Sequence, residues 1–280
     1  MDITKAPELG LCTGIRRAIS LLKEAANKYG GIETLGPVAH NHLLVEALAR
    51  MGVTPLNHLD QVQGKILAIT THGTSPSVLS AIESRGLSIV DTTCPIVRKV
   101  QNTASELTKD GFHVIIFGEA EHSEVRGLLG WTEGKGIAAL NINQIHFQGN
   151  PPYRLGIISQ TTQTQSAFTE FASLLTGTIG SEASEIRIIN TLCQVTQRHQ
   201  QAAMKLAYTT ELMIVIGGKN SANTRRLVET CSPIVETHMV ETADEVNHSW
   251  FVDKHHIGIT AGASTPDETI DEVILKLDSL

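Results

Sequence analysis

A chain of 280 residues lies near the upper limit of what a single hydrophobic core supports, so several small linked units are expected. Its 22 basic and 29 acidic residues give a net charge of −7 with no Lys/Arg block, which argues against nucleic acid as the main ligand. Four cysteines far apart do not make a secreted disulfide framework, residues 1–12 lack the apolar core of a signal peptide, and no apolar run approaches the roughly 18 residues of a membrane span; the expectation is a cytoplasmic protein with reduced thiols and no membrane contact.

Along the chain, the first strong signal is Leu9-Gly10-Leu11-Cys12-Thr13, followed at helical spacing by Ile15, Ala18, Ile19, Leu22 and Ala26. The same pattern returns as Asp91-Thr92-Thr93-Cys94-Pro95, with Val97, Val100, Ala104 and Leu107, and as Asn190-Thr191-Leu192-Cys193-Gln194, with Val195, Ala202, Ala203 and Leu206. Each cysteine is therefore expected to open a helix. The match continues downstream: His40, His122 and Ser221 each stand 28 residues after their cysteine, in polar loops that open a second helix. A third block reads Leu56-Asn57-His58-Leu59-Asp60-Gln61, Leu140-Asn141-Ile142-Asn143-Gln144 and Val240-Glu241-Thr242-Ala243-Asp244-Glu245, and a fourth begins at Ile69, Ile158 and Ile259. Three α/β repeats account for nearly the whole chain: 13–94, 95–193 and 194–280, with 1–12 as a segment leading to the first cysteine.

Between these blocks lie short apolar runs, 66–69, 114–117, 155–158, 212–216 and 257–259, each running into a polar loop and then a helix. Runs of that length read as buried parallel strands. Ser75-Pro76 and Thr265-Pro266-Asp267-Glu268 carry helix-start signals, the latter a capping box with proline at the first helical position. The expected fold is three repeated α/β units with parallel sheets around a pseudo-threefold axis. The polar loops then sit at the carboxyl ends of strands and at helix N-termini, where open α/β sheets bind anions.

Cys12, Cys94 and Cys193, in matching positions, suggest a metal or cluster with one coordination position not filled by cysteine. Zinc on three cysteines and one histidine is one option. A four-iron, four-sulfur cluster with one open iron, able to bind a substrate oxygen as a Lewis acid, is another. Cys231 breaks the repeat and reads as a packing residue. His40, His72 and His122, aligned in the loops with Asn220, Ser221, Asn223, Ser264, Thr161 and Glu124, offer many donors and one carboxylate. That set suits a phosphate or diphosphate, with Glu124 able to act as an acid if its pKa is raised.

These residues resemble the 4-hydroxy-3-methylbut-2-enyl diphosphate reductases, the IspH/LytB family, from about Cys12 to Asp267. The resemblance is carried by the cysteine loops, His40-Asn41, His72-Gly73, His122-Ser123-Glu124-Val125, Gln160-Thr161-Thr162, Asn220-Ser221-Ala222-Asn223 and residues 260–267. It implies one four-iron, four-sulfur cluster per chain, held at the centre of the three units by Cys12, Cys94 and Cys193. It further implies a diphosphate held by His40, His72, Ser221, Asn223 and Ser264, and a substrate hydroxyl surrounded by His122, Glu124 and Thr161. The implied reaction removes an allylic hydroxyl with two electrons and protons, giving isopentenyl and dimethylallyl diphosphate, with a low-potential ferredoxin or flavodoxin as electron donor. Leu11, Thr13, Ser123 and Ala222 depart from the usual family residues, and Ala222 removes one possible hydroxyl contact to the diphosphate. The readings left beside it are an enzyme similar to quinolinate synthase, which also carries an open-iron cluster on three cysteines, and a zinc- or cluster-bearing sensor.

Overall fold

The computed structural model describes residues 1–147, 152–179 and 182–279. Its strands are β1 (Asp2–Lys5), β2 (Ile32–Leu35), β3 (Val53–Leu56), β4 (Ile66–Ile69), β5 (Ser88–Asp91), β6 (His113–Phe117), β7 (Gly136–Ala139), β8 (Arg154–Ser159), β9 (Glu185–Ile188), β10 (Leu212–Ile216), β11 (Thr237–Val240) and β12 (His256–Ala261). Its α-helices are α1 (Thr13–Tyr29), α2 (His42–Ala49), α3 (Pro76–Ser84), α4 (Pro95–Lys109), α5 (Ser123–Gly130), α6 (Gln165–Ile179), α7 (Gln194–Ala207), α8 (Ala222–Cys231) and α9 (Asp267–Asp278). The strands form three parallel sheets in the orders β3-β2-β4-β5, β7-β6-β8-β9 and β11-β10-β12-β1. Each sheet thus has the same order of second, first, third and fourth strand. The fourth strand of the last sheet comes from the N-terminus, with Ile3 beside Ile257 and Lys5 beside Ile259. Segment 1–12 is therefore not only a lead-in to the first cysteine; it completes a sheet whose other strands lie beyond residue 211.

By contacts the chain divides into two compact units, one of residues 1–31, 37–55 and 194–280 and one of 32–36 and 56–193. In the second, the sheet built on β6 and β8 is covered on both faces. Ile115, Phe117, Leu155 and Ile157 pack against Phe168, Phe171 and Leu175 of α6, while Val114, Ile116 and Ile158 point the other way onto α4 and α5. In the first, Ile214, Ile216, Ile257 and Ile259 meet Ile270, Val273 and Leu277 of α9. Met213 and Val215 meet Ala203 and Leu206 of α7 and Leu227 of α8. Leu212 to Ile216 has no exposed residue, which is why its sequence shows a continuous apolar run instead of an alternation.

The caps follow the sequence signals with one exception. Cys12 and Cys94 are the N-caps of α1 and α4, and α7 begins directly after Cys193. Ser75 accepts from the N–H of Val78, with Pro76 at the first position of α3. The third block of each repeat is a short 3-10 turn held from its far end: Gln61 Oε1 accepts the N–H groups of Asn57 and His58, Gln144 Oε1 those of Leu140 and Asn141, and Glu245 Oε2 that of Glu241. The exception is the box at 265–268. Pro266 is the residue before α9, and Thr265 is buried and donates to the carbonyl of Ile216 at 3.0 Å, so its hydroxyl does not cap the helix. The Ile216 carbonyl already accepts from the Gly262 N–H at 2.8 Å, so what the bond secures is a partner for the buried Thr265 hydroxyl, which outweighs a cap that water could replace. Among the described residues no helix is long and apolar enough to cross a membrane.

Candidate functional site

Every cysteine of the repeat is held the same way. The N–H of Cys94 donates to the carbonyl of Thr71 at 3.1 Å, that of Cys193 to Thr161 at 2.9 Å and that of Cys12 to Ala263 at 3.0 Å. Each acceptor lies two residues beyond the third strand of its sheet, past Ile69, Ser159 and Ala261. The residues before the cysteine lock the turn. Asp91 accepts from the N–H of Thr93 and from Arg98, while the Thr92 hydroxyl donates to the carbonyl of Ile69. Asn190 accepts from the N–H of Leu192, and the Thr191 hydroxyl donates to the carbonyl of Ser159 at 2.7 Å. Gly10 takes φ +75 in the corresponding place, a conformation that excludes most side chains.

All three cysteines are partly exposed at helix starts and none is in a disulfide, and the Cys12 sulfur accepts from the N–H of Ile15 at 3.5 Å. A pre-set main chain and a thiol at a helix start give each of these cysteines the chemistry of a soft-metal ligand. Cys231 differs: it is buried among Met213, Val215 and Leu227, and burial pushes its thiol up to about 11. It is a packing residue, as expected.

Glu124 is the most unusual group in the second unit. It lies in the first turn of α5, only 2% exposed, and both oxygens are engaged by one residue: the N–H and the hydroxyl of Thr161 each donate to it at 2.7 Å. Burial raises its pKa and outweighs the opposing effect of the two Thr161 donors. His122 is the N-cap of α5, its Nδ1 accepting the N–H of Glu124 at 3.2 Å. An Nδ1 that accepts leaves the proton of the neutral ring on Nε2. The His72 ring meets the His122 ring edge-on with centroids 5.5 Å apart. Gly73 takes φ +68, and a Cβ there would lie 2.3 Å from Gln101 Nε2, so the backbone after His72 passes where only glycine fits.

In the first unit the loops at His40 and Ser221 touch. A Cβ on Gly218 would stand 2.3 Å from the carbonyl oxygen of His40 and 3.3 Å from the Asn41 Cα. Gly218→Ala has to push these main-chain segments away from each other and is expected to cost roughly 1–3 kcal/mol, measurable by denaturant unfolding; unchanged stability would contradict that packing. Ser221 caps α8, accepting from the N–H of Thr224 at 3.3 Å. Asn223, 5% exposed, has no hydrogen-bond partner among the described residues for either end of its amide. A buried amide with four unused bonding sites requires a ligand or water. Ser264 is 7% exposed in the turn after β12, and Ala222 is buried at the first position of α8.

The aligned set is in register except by one residue in two places. The glycine closing the first strand of each sheet falls 24 residues after the cysteine, at Gly36, Gly118 and Gly217, its N–H on the carbonyl ending the second strand, Leu56, Ala139 or Val240. From there the helix caps are Asn41, His122 and Ser221, so the first loop is one residue longer and His40 precedes its cap. Likewise His72 and Ser264 each follow the carbonyl that holds a cysteine, whereas Thr161 supplies that carbonyl itself. His40, His72 and His122 are thus not strict equivalents.

Gln160 has a role that sequence reasoning does not reveal. It is fully buried, its Oε1 accepts the N–H of Glu119 at 3.0 Å and the Nε2 of Gln163 at 3.2 Å, and its own Nε2 has no partner among the described residues. It ties the loop leading to His122 onto the end of β8, a role that only its place beside Thr161 could have signalled.

A profile described as LytB protein matches residues 3–278. The 4-hydroxy-3-methylbut-2-enyl diphosphate reductase of Dehalococcoides mccartyi (strain CBDB1) is 42% identical over 280 residues, covering 100% of this chain and 99% of the relative. That of Geobacter metallireducens is 38% identical, covering 99% and 97%. Among solved structures, a (E)-4-hydroxy-3-methyl-but-2-enyl diphosphate reductase, the terminal enzyme of the non-mevalonate pathway, superposes with a TM-score of 0.71 at 35% identity over all of both chains. The Plasmodium falciparum structure of E-1-hydroxy-2-methyl-but-2-enyl-4-diphosphate reductase, 24% identical, shares the fold with a TM-score of 0.92 over 98% of this chain and 87% of that one. None of these relatives favours the quinolinate synthase or sensor readings.

Proposed function

The chain belongs to the LytB protein family, and we infer from that membership and from the buried Glu124–Thr161 pair that it is a 4-hydroxy-3-methylbut-2-enyl diphosphate reductase. The observation that carries the chemistry is a carboxyl group held by two short bonds from Thr161 and kept from solvent, poised to deliver a proton. The reaction replaces an allylic C–OH by C–H: two electrons and two protons enter, the C–O bond breaks, and water leaves. Protonation at either end of the allyl unit gives isopentenyl or dimethylallyl diphosphate.

Cys12, Cys94 and Cys193 would hold one four-iron, four-sulfur cluster, which when bound supplies the electrons and a Lewis-acidic position for the hydroxyl oxygen. Everything else falls to the chain. Glu124 in its protonated form passes a proton through or beside the Thr161 hydroxyl to the departing oxygen. The carboxylate left behind accepts both Thr161 donors, so the product of proton transfer is already solvated by the protein. His122, with its Nδ1 occupied by the Glu124 N–H, offers Nε2–H to the substrate.

The diphosphate falls to His40, His72, Ser221, Asn223 and Ser264, with the Asn223 amide supported as a ligand by its lack of a hydrogen-bond partner among the described residues. Ala222 offers no hydroxyl to that group. Binding energy from the diphosphate then positions the reacting end. Asn223→Ala, His40→Ala and Ser264→Ala are each expected to weaken substrate binding by about 1–3 kcal/mol, with iron content unchanged. Calorimetric titration with the substrate checks this, and parental affinity in all three would remove these residues from the site. The electron donor is a low-potential ferredoxin or flavodoxin of the cytoplasm. Anaerobic incubation of the iron-loaded protein with the allylic substrate and a chemical reductant tests the whole reading: formation of the two C5 diphosphates supports it, and unreacted substrate refutes it.

A further inference from the structure

Two electrons per turnover must reach the cysteines from outside, because no group of this chain supplies them. Electron transfer falls steeply with distance, so the donor has to dock where a cluster-bearing cysteine lies nearest to an approachable surface. The charge distribution limits where an acidic carrier can do so. Helices α1, α4 and α7, the three led by cysteines, together carry nine Lys/Arg and two Asp/Glu, a net +7 in a chain whose total is −7. An acidic partner is repelled by most of the molecule and attracted to these helices.

They are not equally open to it. On α1 the charge nearest Cys12, Arg16, is bound by both oxygens of Asp267 at 3.0 and 3.1 Å, at the start of the strongly acidic helix α9. On α7 Arg198 pairs with Glu8, and the exposed apolar side chain, Met204, stands about 16 Å of helix beyond Cys193. On α4 the features coincide. Pro95 and Ile96 follow Cys94 directly and are both exposed, Ile96 by 38%. One turn on, the exposed Lys99 has no ion-pair partner among the described residues, while Asp91, three residues before Cys94, is taken up by Arg98.

We propose that the first turn of α4, with Ile96 as apolar contact and Lys99 as steering charge, is the docking face for a small acidic one-electron carrier of the ferredoxin type, which delivers its electron beside Cys94. The proposal rests on the reductase reading and names the surface that serves it. An apolar contact ringed by charge is the usual anatomy of weak, fast electron-transfer encounters.

The test uses the iron-loaded protein, an acidic low-potential ferredoxin, and dithionite with methyl viologen as a small reductant. Lys99→Glu is expected to raise the KM for reduced ferredoxin about tenfold or more and to flatten its dependence on salt. Ile96→Ser should raise that KM severalfold with the salt dependence kept. Calorimetric titration with oxidised ferredoxin should show the same losses in Kd. Iron content, substrate affinity and turnover with dithionite should stay at parental values, and Lys205→Glu on α7 should leave ferredoxin binding unaltered. Parental Kd and KM for ferredoxin in both α4 variants, or no ferredoxin binding by the parent, overturns the docking face while dithionite turnover leaves the reductase reading intact. No turnover of the parent with dithionite overturns the reductase reading, and this proposal with it.

Discussion

Cys94→Ser protein, purified without oxygen, is expected to fold, to contain far less iron than the parent, and to have lost turnover in step with the iron. The substitution is mild for the scaffold. Serine is a favoured N-cap, so α4 keeps its start, and the N–H bond to the Thr71 carbonyl does not involve the side chain. What it removes is the soft sulfur ligand. Cys12→Ser and Cys193→Ser should behave alike, since their backbones are held by the equivalent carbonyls of Ala263 and Thr161. Cys231→Ser is the contrast. It places a hydroxyl among buried apolar side chains and should cost about 1–3 kcal/mol of stability, with iron and turnover retained. Iron assay, visible absorbance and steady-state rates decide the matter together. Full iron and full turnover in Cys94→Ser would remove that residue from the cluster site.

The repeat was legible because each of its signals is local: a polar turn, a cysteine and an amphipathic helix, repeated with a fixed interval to a glycine that ends a strand. The same locality explains what was missed. β1 is four residues with no periodicity of its own, and it is a strand only because β12, some 250 residues away, offers an edge. Thr265 carries every local mark of a helix cap, yet its hydroxyl is taken by a carbonyl on β10. The extra residue between Gly36 and Asn41 was hidden because His40 keeps the 28-residue interval while the cap moves on by one. At the candidate site, residue types and order could be read, since histidine, glutamate and hydroxyl side chains in strand-end loops have few bland explanations together. Pairings such as Glu124 with Thr161, or Gln160 with the main chain of Glu119, depend on how two loops of one sheet meet, which spacing does not encode.

Glu124→Gln should retain iron and bind substrate with near-parental affinity while its turnover falls by about 10² to 10⁴, the usual contribution of a positioned acid. Glutamine has the shape of the protonated carboxyl and keeps an oxygen for the Thr161 N–H, but has no proton to give. Thr161→Val should cost less, because it disturbs the orientation of the acid without removing its proton. The direction of the pKa shift adds two readouts. Because burial holds the Glu124 carboxyl above its ordinary range, the parent's turnover should decline as pH rises through that raised value, and the residual rate of Glu124→Gln should lack this limb. For stability, a carboxyl whose pKa is raised by folding contributes fully below its unfolded value and loses that contribution as pH rises through the folded one. The glutamine variant should therefore gain thermal stability relative to the parent on the alkaline side, and only there. A carboxylate that merely favoured the start of α5 through the helix dipole would predict a small loss of stability and almost no loss of rate. Unchanged turnover in Glu124→Gln, with the same pH profile as the parent, would end its assignment as the acid.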